Sequence, residues 1–134
     1  MAVSVAKKRA VIARDGGFCL LALANCRGEA QTADHRANRG HGGAGDVLDD
    51  GVNLIAACSI CNAEKETATG VVLLDLLERG LRVLHASTHR KTLERVWLTP
   101  ILMLDGSWRM PMSYDDWRPA TSFEIARHLE AVAA

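Results

Sequence analysis

The residues of this chain whose types and spacing could do chemistry are the adjacent Asp34-His35, Asn53, and the Cys58-x-x-Cys61 pair that runs directly into Asn62. An imidazole accepts a proton from water near neutral pH, so His35 is the candidate general base. The Asp34 carboxylate and the Asn62 amide oxygen are hard donors suited to Mg²⁺ or Mn²⁺, ions that keep several waters and need few protein ligands. Asn53 has no proton to trade. Its amide can bond backbone groups or the imidazole, which makes it a catalytic residue by orientation. An activated water, a cation facing phosphate and a protected leaving oxygen are the requirements of phosphodiester hydrolysis. In a regular strand Asp34 and His35 point to opposite faces, so both serve one site only where the backbone twists.

The four cysteines form two sequence pairs, Cys19 with Cys26 and Cys58 with Cys61. Four thiolates complete a tetrahedral structural Zn²⁺ site, which would clamp the first loop onto the element that carries Asn62. Six residues separate Cys19 from Cys26, more than the two to four usual in zinc knuckles. The alternatives are reduced thiols, or disulfides in one of three pairings. With no export signal at the start of the chain, disulfides are the weaker reading.

These side chains need elements to position them. Apolar residues around Lys7-Lys8-Arg9 predict an amphipathic helix over residues 3–14, ended by Asp15-Gly16-Gly17. A knuckle over 18–33 leads into a strand over 32–36. The glycine-rich stretch 38–51 reads as a long loop, 52–58 as a buried strand, and Ser59 as the N-cap of a helix through Asn62 and Lys65. Beyond it, 71–79 reads as a helix stopped by Gly80, 81–85 as a strand, and 123–132 as a closing helix. Residues 96–104 and 107–112 flank Asp105-Gly106, a dipeptide suited to a two-residue hairpin turn. Trp97 and Trp108 then pack in the hairpin, Trp117 in the core, and His41, His85, His89 and His128 are loop, structural or surface groups.

At 49% hydrophobic and 24% charged residues, the composition supports a packed core and argues against global disorder. Sixteen basic residues balance sixteen acidic ones, which excludes binding of nucleic acid by bulk charge alone. Through residue 45, however, seven Lys/Arg face three Asp/Glu, so a local basic face is expected there. Arg36, Arg39 and Lys65 are its candidate phosphate contacts. The most apolar run, 71–77, is broken by Asp75 and falls far short of a membrane span. The expectation is a soluble cytoplasmic protein with no membrane partner.

At these residues the sequence resembles the HNH endonucleases, also called His-Me finger or ββα-metal enzymes. "ADHRANRGHGG" supplies the first histidine, "NLIAAC" the central asparagine, and "CSICNAEKE" the C-x-x-C and the last motif residue. Asn62 stands where many members have histidine, which makes this the H-N-N variant shared with endonuclease VII-like resolvases. In that variant the aspartate before the base and the final asparagine bind the divalent metal. The wider pattern, "RDGGFC" upstream and a "DGSW" hairpin downstream, is similar to small HNH proteins of actinobacterial phages. The resemblance implies an α+β fold: a ββα-metal core over 14–66 with a zinc knuckle, an N-terminal helix, and a C-terminal α/β extension over 71–134, all in one domain. It implies DNA as the partner, a bacterial host's cytoplasm as the location, and a homodimer where both strands are cut. The competing expectation is an inactive zinc-stabilised module that binds nucleic acid or serves as an adaptor among phage DNA-packaging proteins.

Overall fold

A computed structural model describes residues 3–38 and 47–134, and its architecture is α+β. Helix α1, Val5–Arg14, starts where the Ser4 hydroxyl accepts from the Lys7 N–H, and ends at Asp15 with Gly16 and Gly17 in the left-handed region. Strands β1, Thr32–His35, and β2, Leu54–Ala57, pair antiparallel, and helix α2, Ser59–Glu66, follows β2 directly. The order strand, long connection, strand, helix is therefore present. Arg39, His41 and the glycines at 40, 42, 43 and 45 lie outside the described residues.

The connection ends in two 3-10 turns, Val47–Asp49 and Gly51–Asn53, so β2 begins two residues later than the apolar run predicts. Asp50 caps the second turn by accepting from the Val52 N–H at 2.9 Å. The N-cap of α2 is Cys58 rather than Ser59: its sulfur accepts from the Cys61 N–H, which ties helix initiation to the cysteine pair.

Helix α3, Gly70–Glu78, ends at Gly80, which has φ +72°. A Cβ there would lie 1.9 Å from the Pro100 carbonyl oxygen, so the position requires glycine for conformation and for space. Residues 81–85 form no strand. They bury Leu81 and Val83 in the alternating manner of one, and Val83 donates to the carbonyl of Arg36 just beyond β1, but they form no ladder with a strand among the described residues.

Residues 96–104 also depart from expectation. Helix α4, His89–Trp97, takes their first two residues, because Thr88 caps it and Thr92 and Val96 make one buried face four residues apart. Pro100 then precedes β3, Ile101–Leu102, which pairs with β4, Trp108–Pro111. The hairpin forms, but with a longer connection than two residues: Met103 donates to Ser107, and only Gly106 of the turn has positive φ. A third strand, β5 or Trp117–Pro119, pairs with β4, and α5, Ser122–Ala133, closes the chain through a capping box between Thr121 and Glu124. The principal core gathers Leu20, Leu21, Ile55, Leu76, Leu81 and Ile101 around the cysteines, and a smaller one holds Ala37, Val52, Val83 and Val96. Among the described residues no helix is long and apolar enough to cross a membrane.

Candidate functional site

The register of β1 against β2 decides where the first motif points. Asp34 pairs with Ile55 and His35 with Leu54, and paired residues share a face of the sheet. Ile55 and Ala57 belong to the cysteine-containing core, so Asp34 faces inward toward α2 while His35 faces the other side. The two neighbours diverge, as the pleat requires.

His35 sits at the end of β1 with its imidazole partly open to solvent, and its Nε2 lies 2.7 Å from Asp49 Oδ1. A carboxylate accepts only, so Nε2 is the donor, and in a neutral ring the lone pair is then on Nδ1. Asp49 is the partner of His35 that sequence spacing did not find. Nothing marks it among the acidic residues after the glycines, because its proximity to His35 depends on the 3-10 turn that folds it back. The Tyr114 hydroxyl donates to the Asp49 carbonyl at 2.9 Å, so the C-terminal half of the chain helps hold that turn.

Asn53 is fully buried. Its Oδ1 accepts from the Ala37 N–H at 2.8 Å, and its Nδ2 donates to the carbonyls of Ala37 and Leu48. It touches backbone rather than the imidazole, and it staples the two ends of the long connection on either side of the undescribed stretch. The carboxamide is suited to this because it offers donor and acceptor together.

On the inner face, Asp34 Oδ2 lies 2.7 Å from Lys65 Nζ, and the same ammonium donates to the His35 carbonyl at 2.6 Å. Lys65 is wholly buried and Asp34 nearly so. Burial opposes both charges, pushing the Asp34 carboxyl up and the Lys65 ammonium down, and each partner's charge works against that shift in the other. Asn62 lies one turn before Lys65 and so on the same side of α2. Its amide makes no hydrogen bond among the described residues. A divalent ion bound by Asp34 and Asn62 would therefore have to share Asp34 with a resident ammonium.

The basic residues are placed differently from the expected phosphate-binding face. Arg36 is buried and donates to the carbonyls of Gly80, Val52, Val96 and Thr99, and its burial pulls the guanidinium down to about 9. Lys65 is occupied as described. Both side chains point into the scaffold because β1 and α2 turn these positions toward the core, and as placed neither reaches a phosphate. Arg39 lies outside the described residues.

The cysteines converge. Their four sulfurs lie within 4.8 Å of one another, with Cys19, Cys58 and Cys61 buried and Cys26 at the edge. A tetrahedral Zn²⁺ with bonds of about 2.3 Å sets sulfurs about 3.8 Å apart, so the set fits zinc with slight contraction. The wide Cys19–Cys26 spacing is accommodated because Phe18 bridges Glu29, Cys19 donates to Gly28, and Ala22 adopts φ 46°, which folds the intervening residues back. None of the four forms a disulfide. Taken as thiols, Cys19 and Cys61 are pushed up by burial. Cys58 resists that same burial through N–H groups of Arg27 and Cys61 and is held down at about 6. Such donors favour the thiolate that a metal needs.

Compared with protein families, curated proteins and solved structures, the chain matches none.

Proposed function

We propose that this chain is a zinc-stabilised phosphodiesterase of the HNH type acting on DNA, with His35 as the general base. The observation that carries the reading is the partly open imidazole at the end of β1, backed by Asp49 at 2.7 Å. The Asp49 carboxylate fixes the ring and its tautomer, which leaves Nδ1 to take a proton from water. Asn53 holds the backbone on both sides of that base through Ala37 and Leu48. Asp34 and Asn62 are the residues that would hold Mg²⁺ or Mn²⁺, whose chemistry is to stabilise charge on phosphate. The four cysteines hold the knuckle against β2 and α2.

A second reading is favoured by one observation, the Lys65 ammonium against Asp34. If that ammonium permanently neutralises the carboxylate, the chain is a zinc-stabilised nucleic-acid-binding or packaging-adaptor module without catalysis. Incubation of supercoiled plasmid with the protein in Mg²⁺, Mn²⁺ or EDTA separates the two. The nuclease reading expects nicked or linear product with metal, none with EDTA, and none from His35→Ala at unchanged DNA affinity. Cleavage by His35→Ala at the parent rate rejects the assigned base, and absence of cleavage on duplex, single-stranded and four-way-junction DNA favours the module.

A further inference from the structure

Away from the His35 and cysteine sites, α3, α4 and α5 enclose a half-open cleft of about 480 Å³. That size is within the range of small-molecule sites, roughly 300 to 1,000 Å³. Its floor and walls are apolar, with Leu77, Leu98 and Val132 among them. Around this apolar space stand three guanidinium groups, Arg82, Arg95 and Arg127, and no acidic side chain lines it.

Among the described residues none of the three arginines has a carboxylate within ion-pairing distance. Arg95 leans on the carbonyls of Leu84 and His85, and Arg127 on that of Leu98 at 3.5 Å. Arg82 reaches the Lys65 carbonyl at 3.4 Å, and its Nε is buried with no partner. Guanidinium groups favour carboxylates, which match their paired donors.

We propose that this cleft binds a small amphipathic carboxylate, its apolar body lying along Leu77, Leu98 and Val132 and its anionic head meeting Arg82, Arg95 and Arg127. The apolar walls select the body and the arginines select the charge. A free inorganic anion would leave the walls wet, and an uncharged hydrocarbon would leave the guanidinium groups unpaired. The proposal is independent of any reaction at His35. It does place the ligand one side chain from the candidate site, because Arg82 bonds the backbone of the residue that holds Asp34.

The probes are decanoate and decanol, which differ only in the charged head, titrated calorimetrically into the zinc-loaded full chain below the micelle concentration. Saturable one-to-one binding of decanoate, with decanol at least tenfold weaker, is expected. The double variant Arg95→Gln/Arg127→Gln should lower decanoate affinity at least tenfold and leave decanol unchanged. Val132→Trp, which fills the cleft, should abolish both. Equal affinity for the two probes, no saturable binding of decanoate, or binding that survives Val132→Trp in a folded variant would overturn the proposal. So would self-association that Val132→Trp abolishes, since it would give the cleft to a second copy. The decanoate and decanol comparison is made on the parent protein, so it stands even where a variant fails to fold.

Discussion

Replacing Lys65 with methionine keeps most of the side-chain volume and deletes the ammonium, which leaves Asp34 facing a hydrophobic wall. Lys65 is fully buried and the Asp34 side chain is 5% exposed, so water cannot take the place of the lost partner. Breaking a buried ion pair from one side costs about 3–5 kcal/mol. A 134-residue chain at ~0.05–0.15 kcal/mol per residue has roughly 7–20 kcal/mol in total, so the loss is a large fraction of it. With a urea slope of about 2 kcal/mol/M, the midpoint should fall by ~1.5–2.5 M. Removing both partners in Asp34→Leu/Lys65→Met should recover most of that loss, the remainder being the His35 carbonyl that Lys65 no longer bonds. The pH response gives a second check. Burial already raises the Asp34 carboxyl above its ordinary value, and loss of Lys65 raises it further. A folded-state pKa above the unfolded one means that stability is present at low pH and lost as pH rises through the folded value. The Lys65→Met deficit should therefore shrink as pH falls toward the unfolded carboxyl's ordinary range. A cost below about 1 kcal/mol, or a deficit that ignores pH, would show that the pair is not the buried, mutually dependent one described.

Asp49→Asn should keep the hydrogen bond to His35 but free the tautomer, lowering cleavage about 10²-fold with little change in the unfolding midpoint; parent-like turnover would remove Asp49 from the site. The purified chain should carry about one Zn²⁺, and Cys58→Ser should lose both the metal and the cooperative unfolding transition, as measured by elemental analysis and circular dichroism. His128 donates to the Glu78 carbonyl at 2.8 Å and is lowered from its ordinary value by burial. Its neutral form supports the fold above the unfolded pKa near 6.5, and that support is lost as pH falls below it, so His128→Gln should flatten the fall in midpoint there relative to the parent. Gly80→Ala must place a methyl against Pro100 at positive φ and should cost at least about 2 kcal/mol in a urea titration.

The strand, connection, strand, helix order was legible because each piece carries a local signal: the glycines, the short apolar run 52–58, and the cysteine pair where strand hands over to helix. The convergence of the cysteines was legible from type alone, although the spacing concealed how the knuckle closes. Lys65 and Arg36 were misread because a basic residue carries no local mark of the direction its backbone will turn it. Their burial follows from the register of β1 and the phase of α2, and both are tertiary facts. Helix α4 was missed because Arg90, Lys91, Glu94 and Arg95 dilute its buried stripe of Thr92 and Val96, and β5 because all three of its residues are exposed. Of the two uses the sequence offered for the Asn53 carboxamide, bonding backbone or bonding the imidazole, the structure has the first, to Ala37 and Leu48.

The two buried arginines also bear on how the chain comes apart. Arg36 on β1 gathers carbonyls from Val52 and from Gly80, Val96 and Thr99, while Arg14 on α1 gathers Gly51, Leu54 and Ser113. Each guanidinium therefore spans the first and last thirds of the sequence, and neither half can peel away without stranding a charge in a dry interior. Partial unfolding is thereby made expensive at both ends at once. Amide exchange in β1, β2, and the C-terminal turns of α3 and α4 should collapse onto a single opening event, so that a protease meets either the whole fold or none of it.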